Sequence, residues 1–186
     1  MAMPDSATLW TVEMVNALPE DGQRREIIDG ELFVTPAPSL THQRALSVLA
    51  YRLERFTSEN RAGLMLFAPF DVTFSSRTNV QPDLIVLPLV DGRPPRSWKE
   101  AARLLLCVEV LSSSTAHLDR GKKRRLYQRE QVPEYWIVDV DARVLERWRP
   151  QDARPEILDD VVTWQPEGAG EEFRLDLREL FDAVSS

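Results

Sequence analysis

Cysteine is nearly missing from this sequence: Cys107 is the only one. An intrachain disulfide is therefore excluded, and a reducing cytoplasm is the expected setting. One cysteine and two histidines also exclude a structural zinc site built from Cys and His ligands. Apolar runs stay far short of the ~20 residues that a membrane helix needs, so no membrane association is expected. Met1 to Trp10 contains no basic residue and carries Asp5, unlike a signal peptide. No glycine-rich loop stands at the first strand-to-helix junction, which argues against Rossmann and P-loop nucleotide binders. No Gly-x-Ser-x-Gly elbow surrounds any serine, so His117 and Ser113 make a poor hydrolase triad. Internal repeats and low-complexity segments are lacking too.

Excess positive charge is also absent. The net charge is -7, an awkward balance for a nucleic-acid partner. The distribution softens this. Arg120, Lys122, Lys123, Arg124, Arg125 and Arg129 crowd one segment, while acids concentrate after Glu156. A local basic patch competes here with the plainer reading of a solvated helix face.

What is present fits one domain over residues 1–186, long enough for a proper core. Hydrophobic residues make up 43% and charged residues 28%, as in ordinary globular chains. Thr11 to Leu18 reads as a short helix. Arg25 to Val34 reads as a hairpin turning at Asp29-Gly30, a pair suited to positive φ. A helix capped by Ser39 or Thr41 runs to about Asn60, with Leu46, Leu49, Leu53 and Phe56 on one stripe. Strands are expected at Leu64 to Phe67, Phe70 to Phe74 and Val80 to Leu87. A Pro- and Gly-rich loop follows, from Pro88 to Arg103, with a helical turn near Trp98. Val144 to Trp148, Glu156 to Leu158 and Val161 to Trp164 suggest a closing antiparallel meander, and Leu177 to Val184 a last helix. This grouping favours an α+β or mixed α/β class over regular βαβ alternation.

The centre of the chain is Leu104 to Asp139. Leu104 to Leu111 is an apolar run with one acid, Glu109. A buried carboxylate needs a partner, either a metal ion or a lysine. A helix over Asp119 to Arg129 follows, with Ser112 to Thr115 available to cap it. Then comes a second strand-like run from Val132 to Asp139. At about 100° per residue, Lys122 and Lys123 both share the face of Leu126 and Tyr127. An inward lysine is unusual unless paired, and the wheel does not choose between the two. Asp83, after Pro82, and Glu26, before Ile27-Ile28, are the other acids placed against apolar strands. Two carboxylates on neighbouring strand ends, completed by a carbonyl such as that of Val110, suit a hard cation like Mg²⁺. Such a site suits phosphodiester hydrolysis. The plainer alternatives are a strand start at Asp83, a buried salt bridge at Glu109, an exposed hairpin residue at Glu26 and an Asp119–Lys123 helix pair.

Pro82-Asp83, Glu109-Val110-Leu111-Ser112, then Asp119, Lys123 and Tyr127, then Val132-Pro133-Glu134-Tyr135-Trp136 together resemble the Uma-type family of bacterial endonucleases. That family belongs to the PD-(D/E)XK, or restriction-endonuclease-like, superfamily. Glu26 in Glu-Ile-Ile-Asp-Gly-Glu-Leu and His42 fit its pattern as well. The resemblance implies a mixed central sheet flanked by helices. It implies that Asp83 and Glu109 bind Mg²⁺, or Mn²⁺ in its place, with Glu26 as a further acid. The lysine expected two residues after Glu109 is replaced by Leu111, and the resemblance selects Lys123 as its substitute. DNA is the implied partner and a homodimer the implied assembly. Trp148 and Trp164 are read equally as dimer-interface aromatics and as core residues. Two departures stand in loops: Ser113 replaces a proline and Gln131 a glycine. The function expected is Mg²⁺-dependent cleavage of phosphodiester bonds in DNA. The rivals are a catalytically silent binding module and a hydrolase of small phosphoesters. Replacing Asp83 or Lys123 by Ala is expected to abolish cleavage and leave the fold intact.

Overall fold

The computed structural model describes residues 8–185. The signal-peptide reading of Met1 to Trp10 falls mostly outside them. None of the described helices is long and apolar enough to cross a membrane.

A short helix α1 (Val12–Asn16) leads to the hairpin of β1 (Arg24–Ile28) and β2 (Glu31–Thr35). Asp29 and Gly30 both take positive φ, 53° and 83°, as a tight hairpin turn demands. The long helix α2 (Leu40–Glu59) starts at Ser39, whose side chain accepts the His42 N–H. β3 (Leu64–Phe67), β4 (Val72–Ser75) and β5 (Thr78–Val80) follow.

The run expected as one strand from Val80 to Leu87 is split. β5 ends at Val80, and β6 (Leu84–Leu87) begins in a different sheet. Pro82 has no N–H to give to a ladder, so pairing stops there. The Gln81 N–H turns instead to Glu26 Oε1, at 2.7 Å. This crossing point joins a four-stranded sheet, β2-β1-β5-β4, to the central sheet.

The remaining elements complete that central sheet. They are α3 (Trp98–Ala101), β7 (Leu106–Val110), α4 (Ala116–Leu118), a π-helical turn (Asp119–Lys123), α5 (Arg124–Arg129), β8 (Glu134–Asp139), β9 (Val144–Trp148) and β10 (Glu156–Leu158). Its order is β10-β9-β8-β7-β6-β3, and β7 with β8 is its parallel pair. The mixed sheet with flanking helices and an N-terminal hairpin is the architecture expected. The closing meander stops at β10. β11 (Val161–Trp164) pairs instead with β12 (Phe173–Asp176) in a separate ribbon, followed by α6 (Leu177–Ser185).

Strand alternation sends side chains to two cores. Leu84, Val86, Leu106, Val108, Trp136 and Val138 face α2, α6 and the ribbon. Ile85, Leu87, Cys107, Tyr135 and Ile137 face α5 and the hairpin sheet. Trp148 and Trp164 are buried, which fits the core reading of both and not the interface reading.

Candidate active site

Asp83 and Glu109 meet because of register. Leu84 pairs with Val108 in antiparallel β6 and β7, so the next residues outward, Asp83 and Glu109, lie across from each other. Period-2 alternation points both toward the hairpin sheet. From that sheet Glu26 approaches, tied to the crossing point by the Gln81 N–H. From the connecting helices come Asp119 and Lys123. All five side chains are nearly fully buried. They line one cavity of about 370 Å³, which also touches Val110, the 36–39 loop and the 112–115 turn.

Lys123 Nζ lies 2.8 Å from Glu109 Oε1, 3.0 Å from Glu26 Oε1 and 3.6 Å from Asp119 Oδ1. Glu109 thus finds the lysine partner that its burial required. Lys122, the other wheel candidate, lies outside and pairs with Glu31. The π turn decides between them. Tyr135 Oη donates to the Asp119 carbonyl at 3.2 Å, and the Arg124 N–H reaches that same carbonyl across five residues. The wide turn breaks the 100° rule at this point, and Lys123 alone is left facing the acids.

Asp83 is the most fully bonded acid. Its Oδ2 accepts the Val110 N–H at 2.9 Å and lies 3.0 Å from His42 Nε2. His42 is held there by its place in the first turn of α2. Burial alone would raise the Asp83 pKa. The His42 hydrogen bond and the charges of His42, Arg24 and Lys123 outweigh it and hold the carboxyl down to about 2. Glu109 goes the other way: burial pushes it well above the usual range, against the pull of Lys123. Burial raises Asp119 too. The cluster therefore pairs a standing anion at Asp83 with carboxyls that ionise later. Burial works against the charge on Lys123, but Glu109, Glu26 and Asp119 raise its pKa above the ordinary value. It is a permanent cation and not a base. Cys107, on the same strand face as Glu109, is buried, and burial pushes its thiol well up, away from nucleophilic use.

Every residue expected at the site is brought together: Glu26, Asp83, Glu109, Lys123 and, beside them, Val110. Removing Lys123 is expected to cost stability, however, because it would leave buried carboxylates without their cation. Sequence reasoning missed Arg24. Its Nη1 donates to Asp83 Oδ1 at 3.0 Å, and Nη2 lies 3.8 Å from both Glu26 Oε1 and Glu109 Oε2 and donates to the Gln81 carbonyl. The signal was available: Arg24 stands two residues before Glu26, on the same face of one strand.

A divalent cation, implied by the resemblance, fits this donor set by chemistry. The oxygens that face only Arg24 are Asp83 Oδ1 and Glu109 Oε2, both hard carboxylate donors. Glu26 Oε2 is buried and accepts no hydrogen bond from the described residues. Among those residues no three or more His, Cys, Asp or Glu side chains converge into a closed metal cage. Two carboxylates and a carbonyl, with the remaining positions left to water and substrate, is the arrangement Mg²⁺ favours.

Comparison with known proteins bears on the fold and the family. A search of curated proteins finds no match. A crystal structure described as a putative nuclease belonging to DUF820, from Anabaena variabilis, superposes with a TM-score of 0.76 at 22% identity, covering 94% of this chain and 99% of the other. That likeness establishes the shared fold. The model of the family described as "Uma2: Putative restriction endonuclease" matches residues 12–178, and the chain belongs to that family.

Proposed function

We propose that this protein is a divalent-metal-dependent endonuclease acting on DNA. The observation that carries the reading is the juxtaposition of Asp83 and Glu109 across adjacent strands, with Lys123 buried between Glu109 and Glu26. Family membership supports the same class. In this reading Asp83, Glu109 and the Val110 carbonyl hold Mg²⁺ or Mn²⁺. The bound cation supplies Lewis-acid polarisation of the phosphate and lowers the pKa of water. Lys123, permanently charged, orients the attacking water and meets negative charge as it builds on the phosphate. Glu26 accepts a hydrogen bond from that water through its otherwise unbonded Oε2. His42 and the Val110 N–H keep Asp83 ionised and aimed.

The test is incubation of plasmid and single-stranded DNA with the protein plus Mg²⁺, Mn²⁺ or chelator, beside Asp83→Asn and Lys123→Ala variants with their melting curves. Metal-dependent cutting, lost in both variants, is the expected result. Cutting that persists in chelator or in both variants overturns the assignment. DNA binding without any cutting favours a silent module. Turnover of a nitrophenyl phosphodiester, with none on polynucleotide, favours a small-ester hydrolase.

A further inference from the structure

We infer that the Arg24 guanidinium occupies the cation position of the metal-free centre and competes with the divalent ion for it. The inference rests on the proposed metal site and adds a control element to it. The two carboxylate oxygens free of other commitments are Asp83 Oδ1 and Glu109 Oε2. Both face Arg24, at 3.0 and 3.8 Å. The opposite oxygens are spoken for: Asp83 Oδ2 by Val110 and His42, Glu109 Oε1 by Lys123 and Tyr127. An ion shared by Asp83 and Glu109 would draw on the same two oxygens that the guanidinium faces. A guanidinium and a divalent cation also repel strongly at such short range in a half-buried site.

Arg24 is the member of the cluster best placed to move outward. It is the least buried member of the cluster, with 27% of its side chain exposed, whereas Lys123 and the acids show 3% or less. It is the first residue of β1 and lines the cavity. Arg24 therefore neutralises the acids while no metal is bound, and withdraws toward solvent when the metal enters. The centre stays folded in its empty state at the cost of weaker metal binding.

Calorimetric Mn²⁺ titration of wild type, Arg24→Gln, Arg24→Lys and Asp83→Asn tests this. Arg24→Gln is expected to bind Mn²⁺ about tenfold more tightly or better, a difference of ~1.4 kcal/mol. Arg24→Lys falls between it and wild type. The Mn²⁺-induced rise in melting temperature is expected to be larger in Arg24→Gln than in wild type. In wild type, the Arg24 guanidinium NMR signal, assigned by its loss in Arg24→Lys, should shift as Mg²⁺ is added. That last measurement decides the matter if Arg24→Gln does not fold. Equal or weaker Mn²⁺ binding by Arg24→Gln, with binding still lost in Asp83→Asn, overturns the role of Arg24 and spares the metal site. Failure of both wild type and Arg24→Gln to bind Mn²⁺ at millimolar concentration removes the metal site and this inference together.

Discussion

Lys123 shows how much a single buried charge controls. It is 1% exposed and sits between Glu26, Glu109 and Asp119. Lys123→Ala is expected to lower stability by about 3–5 kcal/mol in urea unfolding, because buried acids lose their cation. Adding Glu109→Gln to that variant should recover part of the loss. A loss under ~1 kcal/mol, or no recovery, would contradict the pairing. Asp83 gives a second residue-level expectation. Its folded pKa of about 2 lies below the ordinary 3.8, so its anion stabilises the fold. That contribution, about 2 kcal/mol, is complete above 3.8 and is lost as pH falls toward 2. The stability gap between metal-free wild type and Asp83→Asn should therefore narrow as pH is lowered through this window in denaturant melts. A gap that stays constant would mean Asp83 is not held down by His42 and Arg24.

At the scale of elements, the segment between β7 and β8 carries the most information. Its helical character was legible from Leu118, Leu126 and Tyr127. Its π turn was not, because the Tyr135 hydroxyl bonded to the Asp119 carbonyl there arrives from another strand. The exit of α5 repays the comparison with the family pattern. Gln131 stands where a glycine is usual and takes φ of 56°, while the Val132 N–H closes back on the Tyr127 carbonyl at 2.9 Å. This is the left-handed cap that glycine forms without penalty. Gln131→Gly should raise stability by about 1 kcal/mol, read as a higher melting temperature, even after losing the Gln131–Gln128 bond. A lower melting temperature would show that this side-chain bond outweighs the backbone strain. The split at Pro82 teaches the same lesson in reverse. The proline was visible, yet a change of sheet at Gln81-Pro82-Asp83 is a property of two sheets and not of one strand.

Across the whole molecule, the central sheet is closed on one side by α2, α6 and the β11–β12 ribbon. Phe173 of that ribbon, 3% exposed, meets Phe56 at 5.4 Å and Trp136 at 6.2 Å between ring centroids. Phe173→Ala should cost about 3–5 kcal/mol in a denaturant melt. A cost within ~0.5 kcal/mol would mean the ribbon is an appendage and not a wall of the core. The opposite side is closed by α5 and the hairpin sheet, and the candidate-site cavity lies beside this second core. The net charge of -7 is shared between surface and site, where Lys123 and Arg24 offset only part of the charge of Glu26, Asp83, Glu109 and Asp119.

Local chemistry settled much of this protein. Alternation, caps and turn residues placed the hairpin, the long helix and the apolar strands, since these depend on neighbours in the chain. Glu109 demanded a partner because a carboxylate in an apolar strand is costly wherever that strand lies. The helical wheel left Lys122 and Lys123 open and the family resemblance chose Lys123; the tertiary structure set that lysine against the acids, put Asp83 across from Glu109, and brought Arg24 onto both. Those outcomes rest on strand register, on a hydroxyl reaching in from another strand, and on two sheets meeting at Pro82. Each is a distance between residues far apart in sequence, which no local pattern encodes.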